Sequence, residues 1–231
     1  MKRNWIKTGT LLFMSSLLVL GGCSSASKTP EAEKEDQTVQ ETREPAAQES
    51  EDKSSKNILI VSFSKPTGGE NQTDTDTSAS VVIEDGKLLG NAEYAARLIA
   101  QETGAEWVRL QTIEDYPDDY ETLVDQGKEE QAEQARPELQ EVPDLSGIDT
   151  VILVSPNWWG DLPMPVYSFL DAEDWSGKTL IPVIISGGSG FSNVLLTLGE
   201  YAQVNEEKAQ AISRSSLLSS EESIKEWAAG L

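Results

Sequence analysis

Hydrophobic positions along the chain fall into two alternating spacings. Ile58-Leu59-Ile60-Val61-Ser62-Phe63 is a nearly unbroken apolar run rich in β-branched residues, the pattern of a strand covered on both faces. Glu106 to Leu110, Val151 to Ser155 and Leu180 to Ile185 repeat it, and a weaker run from Lys208 to Ile212 makes a fifth. Between these runs the spacing turns helical. Asn91 is read as the N-cap of a helix whose Ala95, Leu98 and Ile99 share one face before Gly104 stops it. Asp119 to Ala135 forms a second, strongly acidic helix ended by Arg136-Pro137, and Met164 to Leu170, Phe191 to Tyr201 and Ser220 to Ala229 supply three more. Strands and helices in such alternation predict an α/β fold with a parallel sheet sheathed by helices on both faces. In the long excursion before the first helix, Val81-Val82-Ile83 and Leu88-Leu89 flank Asp85-Gly86 in the manner of a small hairpin.

The first 56 residues follow a different logic. Lys2, Arg3 and Lys7 precede an apolar run from Leu11 to Leu20, followed by Leu20-Gly21-Gly22-Cys23. The run is too short for a bilayer, which needs about 20 apolar residues, and fits the core of an export signal. Leu20-Gly21-Gly22-Cys23 resembles the lipobox of bacterial lipoproteins, in which the cysteine thiol takes a diacylglycerol and becomes the new N-terminus. Residues 24–56 then run through Ser, Glu, Gln, Lys and Ala with hardly a large apolar side chain, too little to offset chain entropy. The expected organisation is therefore a signal peptide over 1–22, lipidated Cys23 opening a disordered acidic linker over 23–56, and a folded domain over 57–231. The expected location is the extracytoplasmic face of the cell membrane, held by lipid.

Composition narrows the chemistry. The chain has no histidine and one cysteine, which excludes Ser-His-Asp and Cys-His nucleophiles, HExxH-type zinc sites, an internal disulfide and an iron–sulfur cluster held by this chain alone. No metal ligand set is expected. The net charge is −22, nearly all of it on residues 57–231, and this repels nucleic-acid backbones.

In a doubly wound sheet, ligands bind where strands end and their order reverses. Three loops lie at such ends: Ser64-Lys65-Pro66-Thr67-Gly68-Gly69 with Gly90-Asn91-Ala92-Glu93 at the start of the first helix; Pro156-Asn157-Trp158-Trp159-Gly160; and Ser186-Gly187-Gly188-Ser189-Gly190. The first offers hydroxyls, glycines and the N–H groups of a helix N-terminus, a setting for one phosphate or simply a tight strand–helix turn. No G-x-G-x-x-G is present, and Gly177-Lys178-Thr179 precedes a strand instead of following one, so neither NAD nor ATP is indicated. The Trp pair suits a flat aromatic ligand, and the glycines of the third loop let backbone approach it closely. Gly187-x-Ser189 lacks the closing glycine of a nucleophile elbow and any histidine, so a serine hydrolase is rejected.

Taken together, Ile58 to Ser64, Gly90-Asn91-x-Glu93, Tyr116-Pro117-x-x-Tyr120, Arg136-Pro137, Pro156-Asn157-Trp158-Trp159-Gly160, Phe169-Leu170, Ser176-Gly177-Lys178-Thr179 and Gly187-Gly188-Ser189-Gly190 resemble the bacterial flavodoxin-like family over essentially all of 57–231. The resemblance implies a five-stranded doubly wound sheet of order 2-1-3-4-5, with a hairpin insertion after strand 1, that binds FMN. It places the FMN phosphate on Ser64, Lys65, Thr67, Gly90, Asn91 and Ala92. The isoalloxazine is placed between the loop Pro156, Asn157, Trp158, Trp159, Gly160 and the loop Ser186, Gly187, Gly188, Ser189, Gly190. The sequence departs from the family pattern at Ala92, where a threonine hydroxyl is usual, at Ile185-Ser186, where Thr-His is frequent, and in the length of the excursion from Gly69 to Leu89.

The expected function is that of a lipid-anchored FMN protein in electron transfer, with a redox partner protein or a small acceptor, the acidic surface favouring a basic one. An FMN-dependent reductase of a quinone or other small acceptor is the alternative, and a non-redox binding module with a decayed flavin site is the third. No catalytic residue is assigned.

Overall fold

A computed structural model describes residues 57–66, 81–84 and 87–231, with side chains described outside 81–87. The expected signal peptide and linker, Cys23, Thr67 and the Asp85-Gly86 turn lie outside the described residues. All described residues belong to one unit running from Asp52 to Leu231.

The central sheet is built from β1 (Ile58–Ser62), β4 (Glu106–Arg109), β5 (Thr150–Pro156) and β6 (Thr179–Ser186), with β7 (Gln203–Val204) and β8 (Gln210–Ser213) at its far edge. All neighbours are parallel, in the order β4-β1-β5-β6, with β7 and β8 both on β6. This is the expected 2-1-3-4-5 order. The expected fifth strand, Lys208 to Ile212, is present as β8, which pairs Val183–Ser186, and an unexpected two-residue segment before it, β7, pairs Thr179–Leu180. A separate antiparallel ribbon, β2 (Val81–Glu84) with β3 (Lys87–Gly90), occupies the predicted hairpin, with Val82 opposite Leu89.

Alternation along the buried strands sorts their side chains into two layers. Leu59, Val61, Val151, Leu153, Leu180 and Ile184 meet α2 (Tyr120–Glu133), α3 (Met164–Ala172) and α4 (Val194–Gly199) through Leu123, Phe169 and Leu198. Ile60, Ile152, Val154, Ile181, Val183 and Ile185 meet α1 (Asn91–Thr103) and α5 (Glu221–Ala229) through Ala95, Leu98, Ile224 and Ala228. Phe169 is fully buried and packs edge-to-face on Trp175, centroids 5.4 Å apart. None of the described helices is long and apolar enough to cross a membrane.

Two helix starts differ from expectation. Gly90, not Asn91, is the N-cap of α1, and it supplies no side-chain bond to the first turn. Asn91 is instead the first helical residue and is buried. The helix expected to begin at Phe191 begins at Val194, because Ser192 takes a positive φ of 48° that helical backbone cannot adopt. By contrast α2 is capped as its sequence suggests, Asp119 accepting from Thr122 N–H at 2.9 Å.

Removing the Phe169 ring should destabilise the protein by about 3–5 kcal/mol, the usual range for a core aromatic truncated to alanine. Leu196→Ala, at a side chain 76% exposed on α4, should change stability by less than about 0.5 kcal/mol. Urea unfolding of the two variants beside wild type tests the layer assignment, and equal losses would refute it. At high pH a second effect is expected. Burial, then the hydrogen bond to Asp171, raises the Tyr201 phenol to about 12, and burial with Glu130 raises Tyr116 further. Their contribution is complete below pH about 10, where the unfolded phenol titrates, and is lost as pH climbs through the folded value. Tyr201→Phe should shrink the loss of stability between pH 10 and 12 relative to wild type, measured by unfolding at each pH.

Candidate functional site

Because β1, β5 and β6 are filled with apolar side chains, polar chemistry is confined to the loops at their carboxyl ends. There the three predicted loops meet. They enclose a cleft of about 270 Å³ lined by Ser64, Lys65, Asn91, Ala92, Pro156, Asn157, Trp158, Trp159, Ser186 and Gly187 from the predicted set, joined by Tyr120, Leu123, Val124, Ile185 and Arg214. Gly160, Gly188, Ser189 and Gly190 shape the loops behind this lining, and Gly90 lies beneath Ser64.

The first wall is the junction of β1 with α1. A Cβ on Gly90 would fall 1.8 Å from Ser64 Oγ, so only glycine lets the exit of β1 close on the start of α1. The first turn of α1 has no side-chain cap, which leaves its N–H groups and the positive end of its dipole for an anion. Asn91 and Ala92 of that turn line the cleft. Lys65 Nζ stands 2.7 Å from Asp118 Oδ1.

The second wall separates the two tryptophans. Trp158 turns inward, edge-to-face with Phe63 at 5.5 Å and with Tyr116 at 5.7 Å. Its ring lies so close to α2 that a Cβ on Gly127 would stand 3.1 Å from Cε3. Trp159 turns outward, 48% exposed, with Nε1 donating to Val124 O at 3.1 Å and Lys128 Nζ 5.1 Å from the ring centre. The turn between Trp158 and Asp161 is closed by paired backbone bonds of 2.8 and 3.0 Å, with φ of 53° at Trp159 and 83° at Gly160. Positive φ suits glycine but strains tryptophan by an amount of order 1 kcal/mol, which the indole bond to α2 helps offset.

The third wall is tied to the second. Asn157 accepts from Gly160 N–H at 3.0 Å and donates through Nδ2 to Gly190 O at 3.1 Å, linking the β5 and β6 loops. Ser186, buried where the family pattern has histidine, accepts from Gly188 N–H at 3.3 Å and Gly190 N–H at 3.1 Å. Two of the glycine-loop amides thus turn inward and brace the loop. Tyr120, Leu123 and Val124 form the apolar side of the cleft from one face of α2. Their spacing of three and four from Tyr120 is a helical face visible in the sequence. Arg214 follows β8, and a loop after the fifth strand reaches the same sheet edge as the other three.

Comparison with known proteins agrees with this geometry. A family model described as Flavodoxin matches residues 89–230. A protein of Bacteroides uniformis is similar in structure, with a TM-score of 0.50 and 22% identity over 74% of this chain and 96% of that one. A flavoprotein of Lactobacillus acidophilus solved in complex with FMN has a TM-score of 0.50 and 17% identity over 72% of this chain and 99% of that one. At such identity these likenesses establish the fold alone. No curated protein sequence matches the chain. The family match covers more than half of the chain and both β5 and β6 loops, so the chain belongs to the flavodoxin family.

Proposed function

We propose that the protein binds FMN in this cleft and passes electrons between partners as a lipid-anchored, extracytoplasmic carrier. FMN is the cofactor of the flavodoxin family, and the cleft suits it on two grounds. The N-terminus of α1, which has no side-chain cap and opens on the cleft, suits one phosphate, and the wall of Trp158, Trp159, Leu123 and Val124 suits a flat ring. Bound there, FMN supplies reversible redox chemistry. Ser64, Asn91 and the first-turn amides of α1 would hold the phosphate; the two tryptophans and the braced glycine loop would position the ring and exclude water.

The observation that carries the electron-transfer reading is the placement of α2. The helix that lends Tyr120, Leu123 and Val124 to the cleft also exposes Glu121, Asp125 and Glu129, spaced by four along one stripe. Negative charge beside the cofactor opposes further negative charge on it, which makes the reduced form a strong reductant, and it steers basic partners to the cleft. Two other candidate docking acids are less available. Glu93 pairs with Arg109, and Asp161 accepts the Thr197 hydroxyl. Trp159 and Tyr120, both exposed at the mouth, would also let a flat small acceptor stack, which keeps the reductase reading second.

FMN should bind the full-length protein and quench its tryptophan fluorescence, with FAD and NAD binding worse. Replacing Trp158 and Trp159 with alanine should remove most of the quenching and weaken binding by about 1–3 kcal/mol, the range for a base stacked on an aromatic. Unchanged quenching would place the flavin elsewhere.

Reduction of a basic acceptor protein by the FMN-loaded protein should slow steeply between 0.01 and 0.15 M salt, as the Debye length falls from about 30 Å to about 8 Å. Glu121→Gln with Asp125→Asn and Glu129→Gln should flatten that slope. Rapid-mixing rates across the salt series decide it, and equal slopes for the two proteins would leave the acidic stripe as a solubility feature.

Cys23→Ala should release the protein from the membrane fraction. Persistence there after a high-salt wash would remove the lipid anchor from the reading.

A further inference from the structure

The charge of the cleft is opposite to that of the protein. In a chain of net charge −22, no aspartate or glutamate among the described residues lines the cleft, whereas Lys65 and Arg214 both do. Lys65 is matched by Asp118. Other described cations are matched as well: Arg109 on Glu93, Arg136 on Asp171, Lys225 on Glu221, and Lys178 and Lys208 on main-chain carbonyls. Among the described residues the Arg214 guanidinium has no hydrogen-bond or ion-pair partner, although the Arg214 carbonyl accepts from Leu217 N–H.

Its position is fixed by the sheet. The parallel register sets Ser213 of β8 opposite Ser186 of β6, so Arg214 emerges beside Gly187 at the cleft. A Cβ on Gly187 would lie 3.6 Å from Cζ and Nη2 of the guanidinium. Arg214 opens a short 3-10 turn whose next apolar residue, Leu217, is buried against the α1 and α5 layer, and this anchors the arginine's backbone. The side chain itself is half-buried. A half-buried guanidinium gives up hydration and recovers nothing from a carboxylate here, although the chain is rich in carboxylates. Its planar fork of donors matches an anionic oxygen group presented by something that enters the cleft.

We propose that Arg214 is the counter-charge for an anionic oxygen of FMN bound in the cleft. The proposal rests on the FMN reading above. The phosphate is one source of that chemistry; the other is the polar edge of the ring, which gains negative charge on reduction. Either source gives the same physical result. Arg214 offsets, at short range, the repulsion that so acidic a protein exerts on a dianionic cofactor.

The test measures affinity for FMN and for riboflavin, which lacks the phosphate, in full-length wild type, Arg214→Gln and Arg214→Lys. Fluorescence titration at low and high salt gives the affinities, and spectroelectrochemistry gives the midpoint potential of each loaded protein. Arg214→Gln is expected to weaken FMN binding at least tenfold, with Arg214→Lys intermediate and thermal unfolding of the three unloaded proteins alike. Loss for FMN with riboflavin unchanged assigns the phosphate. Equal loss for both ligands, with a more negative midpoint potential, assigns the ring edge. FMN and riboflavin affinities and potential all unchanged in Arg214→Gln would overturn the proposal while leaving the FMN reading intact. Wild type that binds neither ligand would overturn both.

Discussion

β1, β5 and β6 are covered on both faces, and this constraint governs where everything else can stand. A strand with helices above and below has no side-chain position at which a polar group can reach water, so its residues are mostly apolar and alternate between two cores, while the buried Ser62 and Ser155 find hydrogen-bond partners inside the protein. Polar groups are displaced to the ends of the strands, and parallel connections bring all the carboxyl ends to one edge of the sheet. Ser64, Asn157 and Ser186 therefore meet at one cleft although they are far apart in sequence. The site is a consequence of the core, and a change that tilted β5 against β1 would move the Asn157 bridge and the Ser64 cradle together.

That constraint also explains what could be read from the sequence. Runs such as Val151 to Ser155 and Leu180 to Ile185 announce strands because double burial allows nothing else, and the observed register keeps them side by side. The far edge of the sheet was less legible. Gln203, Gln210 and Ala211 are only partly buried or exposed, so their identities are weakly dictated, and an unexpected two-residue segment precedes the expected strand. The start of α1 was misread by one residue because asparagine is a good N-cap by propensity, whereas here the close approach of Ser64 demands glycine at that position. Arg214 was missed for a similar reason. It belongs to the loop after the least recognisable strand, so no motif pointed at it.

The Trp158-Trp159 pair shows how far a local motif can mislead about the work of its members. Two identical side chains in sequence suggest one role, a stacking wall. The positive φ at Trp159 and Gly160 reverses the chain so tightly that the two indoles leave on opposite sides. Trp158 fills the gap between Phe63, Tyr116 and Gly127 and holds the loop to α2, while Trp159 lies across the outside of the same helix. Only the second is exposed, while the first is half-buried and lines the cleft with the surface it has left.

Charge completes the division of labour. At the surface the acids of α2 are exposed and unopposed along one stripe, while inside the cleft the same helix presents only Tyr120, Leu123 and Val124. The Coulomb energy of a carboxylate with a bound dianion is weak across water and much stronger in a partly desolvated cleft. A sequence can therefore tolerate many acids at the outer face of α2 but few at its inner face, and none of the described residues lining the cleft is acidic. The segregation lets one helix serve two electrostatic purposes: an apolar wall for a flat ring and, one stripe away, an acidic approach for a basic partner.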